Sequence, residues 1–239
     1  ETGKTELETA RTPNLDKLAA QGVCGLLDPV GPGITPGSAP GHLALFGYDP
    51  VTFNIGRGVL EAVGVDFPLQ QGDVAARGNF CTVDNAGRVT DRRAGRISTE
   101  KNAELCQLLD GQVIDSIKIF ARPVREHRFI AVFRGDGLRP ELNDSDPQQV
   151  GVPPKEITVT HATARRTANI ANKFVAQARV LLAKHHPANM ILLRGFSQRP
   201  HLPTMSDIYQ LKPAAIASYP MYRGLARLVG MVVFDTGPT

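Results

Sequence analysis

The chain has 239 residues, 42% of them hydrophobic, enough to bury one large core or two modest ones. Its 27 Lys and Arg against 23 Asp and Glu leave a formal charge of only +4 with no polybasic block, which disfavours nucleic acid as a partner. No run of about eighteen apolar residues occurs and no basic-then-apolar leader is found, so neither a membrane span nor a signal peptide is indicated.

Taken in chain order, Thr12-Pro13 is a helix start, Leu15, Leu18 and Ala19 make an apolar stripe and Gly22 supplies a stop, which predicts a helix over 13–21. Val23 to Leu27 reads as a strand running into the Gly- and Pro-rich loop GPGITPGSAPG at 31–41. A short helix begins near Ser38 or Pro40 and ends at GYDP. Asp73 to Val83 has strand character and returns through the 85–87 turn as a second strand over 88–91. Ser98 caps a helix over 99–109, and 114–121 and 128–133 are β-branched and aromatic-rich strands. After a polar, Pro-bearing loop at 135–154, the longest helix starts at Thr160 and sets Ile170, Phe174, Ala178 and Leu181 on one face. A buried strand at 190–193, an apolar run at 214–217, a helix at 221–229 and a strand at 231–234 close the pattern. The alternation predicts an α/β fold, with a mixed sheet in a middle domain and parallel-type units at the two ends.

Cys24, Cys81 and Cys106 are widely spaced and odd in number, which suits neither a metal knuckle nor a disulfide framework and points to a reducing, cytoplasmic setting. The positive charge consists of nineteen Arg and eight Lys, and ten of the Arg fall between Arg77 and Arg139. Arg is the planar, bidentate binder of carboxylate and phosphate, although eight Asp and Glu in that window allow ordinary surface pairing. Ser38 in PGSAPGH stands at a helix start, where free N–H groups and the helix dipole favour a phosphate. The same hydroxyl would serve equally as a helix cap.

The blocks GKTELETARTPNLDKLAAQG at 3–22, ITPGSAPGHLALFGYDP at 34–50 and GRGVLEAVGV at 56–65 closely resemble the archaeal-type cofactor-independent phosphoglycerate mutases. DVAARGNFCTVD, TDRRAGRIS, EHRFIAVFRG, NMILLRGFSQRP and YPMYRGLARLVGM extend the likeness in order along nearly the whole chain. The resemblance implies membership of the alkaline phosphatase superfamily and two divalent metal ions, usually manganese. It also implies interconversion of 3-phosphoglycerate and 2-phosphoglycerate, a phosphorylated three-carbon acid, through a phosphoserine at the position of Ser38. Two cations would clamp the charge that develops on the transferring group, with Ser38 itself reaching a metal as nucleophile.

The sequence departs from the family where the metal ligands belong. The family's first Asp ligand lies upstream of GKT and the remaining Asp and His ligands follow the TGPT element, whereas this sequence opens on Glu1 and ends at Thr239. His185 with His186, His201, and Asp144 with Asp146 offer no substitute ligand spacing. The expectation is an internal fragment that holds no metal and does not turn over phosphoglycerate by itself. Residues 1–57 and 202–239 would be two pieces of an incomplete alkaline-phosphatase-like α/β domain, and 58–201 a complete inserted substrate domain. Ala39 follows the serine where some relatives carry Asp.

Carried over motif by motif, the candidate substrate contacts are Arg77 and Asn79 of ARGN, Asp91 and Arg92 of TDRR, Arg96 of AGRI, His127 and Arg128 of EHR, Arg134 of FRG, Arg194 and Arg199 of RGFSQRP, and Arg223 of MYRG. Arg96 stands where many relatives have His, and Arg223 where Lys is common. Roughly half are expected to touch substrate and the rest to be surface or packing charges. Asp91 would accept from a glycerate hydroxyl or orient its neighbours. His42 is left outside the site. Two alternatives remain open: another phosphomonoesterase or phosphomutase of the same superfamily, and a non-catalytic anion-binding module.

Overall fold

The computed structural model describes residues 3–34, 36–53, 55–235 and 237, with Ser38 described in its backbone alone. Near the start, α1 (Glu6–Thr9) is closed by a capping box between Thr5 and Glu8, and α2 (Pro13–Gln21) begins on its proline as expected. The Leu15 and Leu18 stripe of α2 faces solvent, and Val23 and Leu26 are fully exposed. The predicted strand at 23–27 is not formed: the segment has no regular structure, and no described strand lies beside it to complete a hydrogen-bond ladder. Two eight-residue helices follow, α3 (Ser38–Leu45) and α4 (Arg57–Gly64).

The centre of the molecule is a six-stranded sheet. Its strands are β1 (Val74–Val83), β2 (Val89–Asp91), β3 (Val113–Ile114), β4 (Ile117–Arg125), β5 (Arg128–Arg134) and β6 (Met190–Ser197). The path runs β2-β1-β5-β4-β3, with β6 also on β1, and every pairing is antiparallel. The expected mixed sheet is therefore corrected. Short hairpins join β1 to β2 and β3 to β5, and β6 returns after a long helix on the side that makes it antiparallel to β1. The single strand predicted over 114–121 is also two, because Asp115 and Ser116 both take positive φ (48° and 67°) and turn the chain as a two-residue hairpin.

Side chains alternate across this sheet with period two. On one face Val74, Ala76 and Phe80 of β1 and Phe129, Ala131 and Phe133 of β5 pack against α5 (Thr99–Leu109) and α6 (Arg165–Leu182). In α6 the buried residues are Ile170, Phe174, Ala178 and Leu182, whereas Leu181, expected on the stripe, is 40% exposed. A one-residue slip in the helical count accounts for the difference, since 170, 174, 178 and 182 lie four apart.

On the opposite face Ala75, Ile130 and Val132 meet α4 and α8 (Pro220–Leu228), together with α3. Glycines allow the close approach. A side chain on Gly58 would strike the Ala75 backbone, one on Gly64 the carbonyl of Pro220, and one on Gly224 the carbonyl of Leu60. A short helix α7 (Met205–Tyr209) and a parallel two-stranded ladder of β7 (Ala214–Ile216) and β8 (Val232–Phe234) complete the described structure. That ladder bears out the parallel-type unit expected at the C-terminal end.

Candidate functional site

The face that α4 and α8 cover is apolar only in part. Along β1 the same-side sequence is Ala75, Arg77, Asn79, and on β5 it is Val132, Ile130, Arg128. Arg77 stands opposite Arg194 of β6. The register thus sets Arg77, Asn79, Arg128 and Arg194 side by side just beyond the apolar contact with α4. The loop after β2 closes over them: the Asp91 carboxylate accepts from the N–H groups of Arg93 and Gly95 at 2.8 and 2.6 Å. That tight turn, in which Ala94, Gly95 and Arg96 all have positive φ, delivers Arg92, Arg93 and Arg96 to the same place.

The outcome is a bowl of about 310 Å3 in which seven of ten lining residues are arginines, the others being Asn79, His127 and Tyr219. Beside it lies a second chamber of about 450 Å3, bounded by Gly37, Ala39 and Pro40 at the start of α3, by Ile55, Gly56 and Met221, and by Asp144 and Gly195. Arg57, Arg77, Arg194 and Tyr219 line both chambers. Gly37 and Ala39 flank Ser38, whose backbone opens α3; its side chain lies outside the described residues.

Buried carboxylates steady the bowl from beneath. Asp146, its side chain fully buried, accepts a two-pronged bond from Arg92 at 2.9 and 2.7 Å and a third contact from Arg194 at 3.3 Å. The 144–146 loop is held in place by Ser145, which exchanges hydrogen bonds with the Leu193 backbone, and by Asp144, which accepts from Gly195 N–H at 2.7 Å. Burial alone would raise the Asp146 carboxyl, but the Arg92 fork, the Gln148 N–H and Arg194 outweigh it and hold the group below the usual carboxylate range. Glu61 of α4 is 1% exposed and 3.2 Å from Arg77 Nε. Burial pushes its carboxyl upward, against the opposing fields of Arg77, Arg128, Arg57 and Arg194.

His127 is driven the other way. Burial first, then the neighbouring Arg128, push its pKa down to about 4, with Glu126 opposing, so it is neutral at pH 7. Several polar atoms at this spot are buried without a hydrogen-bond partner among the described residues: Asn79 Oδ1, His127 Nδ1, Arg77 Nε, Arg194 Nε and Glu61 Oε2. The 3.2 Å approach of Arg77 to Glu61 is a charge contact lacking hydrogen-bond alignment. Each such group costs about 1–3 kcal/mol when left unmet, so a cluster of them around one bowl fits a polar ligand.

The structure thus brings together seven of the sequence-derived candidates: Arg77, Asn79, Arg92, Arg96, His127, Arg128 and Arg194. Asp91 sits behind them, with both carboxylate oxygens bound to the turn. Three others lie apart. Arg134 points from the same face as Arg128 but at the far end of β5, roughly 20 Å away at ~3.3 Å per residue. There it forks onto Asp73 and the Pro68 carbonyl between the rings of Phe67 and Phe120. Arg199 is exposed beyond β6, and Arg223 turns toward Asp66 at 3.7 Å. Sequence reasoning missed Arg57, Arg93 and Tyr219. Arg57 opens α4 immediately after a glycine, Arg93 doubles Arg92, and Tyr219 precedes the proline that starts α8, so each stands at a point where the chain changes direction.

Fold and cleft together define an α/β protein with an arginine-lined bowl adjoining a helix N-terminal turn. The family model described as 2,3-bisphosphoglycerate-independent phosphoglycerate mutase matches residues 19–189. A probable 2,3-bisphosphoglycerate-independent phosphoglycerate mutase of Deinococcus radiodurans is 52% identical over 236 residues, covering 97% of this chain and 58% of the relative. One from Thermus thermophilus is 48% identical over 97% of this chain and 57% of its own length. Among solved structures, the cofactor-independent phosphoglycerate mutase of Thermoplasma acidophilum superposes with a TM-score of 0.65 at 34% identity, over 97% of this chain and 64% of that one. The chain belongs to the 2,3-bisphosphoglycerate-independent phosphoglycerate mutase family, and it spans somewhat more than half the length of these curated relatives.

Proposed function

We propose that these residues form the substrate-holding part of an enzyme that interconverts 3-phosphoglycerate and 2-phosphoglycerate, with Ser38 as the phosphoryl acceptor. The observation that carries this reading is the wall the two chambers share: Arg57, Arg77 and Arg194 line both the chamber beside the turn that flanks Ser38 and the bowl of guanidinium groups. A three-carbon acid that gives up its phosphoryl group and takes it back on the neighbouring oxygen must stay bound meanwhile. Fixed cations adjoining the acceptor do that without loss to solvent.

Residues 1–57 and 202–239 are read as pieces of an alkaline-phosphatase-like domain and 58–201 as the inserted substrate domain, in a cytoplasmic enzyme of glycolysis and gluconeogenesis. The family likeness implies two divalent ions, manganese the usual choice. Among the described residues no group of three or more His, Cys, Asp or Glu comes together that could hold such an ion, so the residues present do not fit the donor set. What they supply is holding and turning of the anion, and on their own they are expected to bind phosphoglycerate without converting it.

Calorimetric titration tests the reading. The protein should bind 3-phosphoglycerate more tightly than inorganic phosphate, glycerate or glucose 6-phosphate. Arg57→Ala, which deprives no hydrogen-bonded carboxylate of its partner, should weaken that binding about tenfold, the worth of one charged hydrogen bond. Preference for the sugar phosphate would transfer the site to another phosphomonoesterase or phosphomutase, and equal affinity for every small anion would reduce it to a binding module.

A further inference from the structure

Of the four side chains common to both chambers, three are guanidiniums and the fourth is the Tyr219 phenol. That residue is held from several sides. Its hydroxyl accepts from Arg128 Nη1, the Arg128 guanidinium lies 5.6 Å from its ring centroid, and its ring packs on Tyr222 at 5.6 Å. Tyr222 in turn stacks on His42 of α3 at 4.8 Å, so the ring is braced against the helix that begins at the serine. A tyrosine hydroxyl has one proton to give as well as lone pairs to offer. Here Arg128 takes up a lone pair, and no described residue accepts the proton. Accepting from a cation also polarises the O–H, which makes it a stronger donor.

We propose that the Tyr219 hydroxyl donates a hydrogen bond to an anionic oxygen of the bound phosphorylated acid at the wall common to the two chambers. This rests on the phosphoglycerate reading above. There the guanidiniums attract any anion, whereas a braced O–H contributes one directed bond and so fixes the ligand's orientation.

Titration of 3-phosphoglycerate into Tyr219→Phe, which keeps the ring and the start of α8, should show about tenfold weaker binding by a protein that still unfolds in one cooperative transition. A second variant separates direct donation from an effect relayed by Arg128. With 3-fluorotyrosine at position 219, compared with the parent at about pH 6, the hydroxyl is a better donor and a poorer acceptor. Tighter binding than the parent supports the proposal. Binding by Tyr219→Phe within about twofold of the parent, or unchanged or weaker binding by the fluorinated protein, overturns it while Arg57→Ala still reports on the phosphoglycerate reading. A parent that prefers another anion overturns both.

Discussion

Acid should loosen this protein through one identifiable imidazole. His127 is 4% exposed, its Nδ1 has no hydrogen-bond partner among the described residues, and burial followed by Arg128 pushes its pKa from 6.5 down to about 4. Arg77 and Arg93 add to the depression, and Glu126 opposes it. Because the folded value lies below the unfolded one, the unfolded chain takes up the proton first. The contribution is complete above about pH 6.5 and is lost as the pH falls toward 4. At ~1.4 kcal/mol per unit the full difference is about 3 kcal/mol, of which about 2 would be gone by pH 5. The bowl is open to solvent on one side, and screening there brings the expected loss between pH 7 and 5 to about 1 kcal/mol. Urea midpoints at the two pH values, for the parent and for His127→Gln, measure this directly, since the other five histidines are common to both. The variant should lose about 1 kcal/mol less than the parent. Equal losses, or an imidazole resonance of His127 titrating near 6.5, would refute the argument. Phosphate in the bowl should raise the midpoint of that resonance, because an anion offsets the arginine fields.

Asp146→Asn should lower stability by about 2 kcal/mol in urea unfolding. The buried-pair range of about 3–5 is reduced because the Arg92 side chain is 30% exposed, and an unmoved midpoint would contradict the role given to the fork. Gly224→Ala should cost about 1–3 kcal/mol and lower the thermal midpoint, since the added methyl meets the Leu60 carbonyl where α4 and α8 cross; an unaltered midpoint would show that the seam can open freely. Arg199→Ala and Arg223→Ala should leave 3-phosphoglycerate binding within about twofold by calorimetry, whereas Arg93→Ala should weaken it about tenfold. The reverse order would place the anion site elsewhere.

What could be read in the sequence was local. Caps and turn residues located α2 and α5, and the alternation along VAARGNF put Arg77 and Asn79 on one side of a strand together. Strand register is a long-range property, so nothing in RFIAVFR distinguished Arg128 at the bowl from Arg134, six residues along the same face. The family motifs carried both forward, and only the pairing of β1 with β5 and β6 separates them. Arg57 and Tyr219 escaped notice because their importance comes from the crossing of α4 and α8, where the close-packed Gly64 and Gly224 belong to segments far apart in the chain. The strand expected at 23–27 failed for the complementary reason: its composition suits a ladder, and no described neighbour offers one.

Seven guanidiniums in one bowl repel one another, and their pairing sorts them into two kinds. Arg92 and Arg194 are tied to Asp146, Arg77 lies against Glu61, and Arg128 is bound to Tyr219. Arg57, Arg93 and Arg96 have no carboxylate within ion-pair reach among the described residues, and they sit where α4 and the 92–96 turn meet the open side. The paired set is therefore rigid and partly neutralised, a wall with fixed geometry, whereas the unpaired set carries the unsatisfied charge. An incoming anion gains most from the second and is aligned by the first. Such a division fits the proposed reading, in which an anion is drawn in by the unpaired charges and held in orientation by the paired, fixed ones.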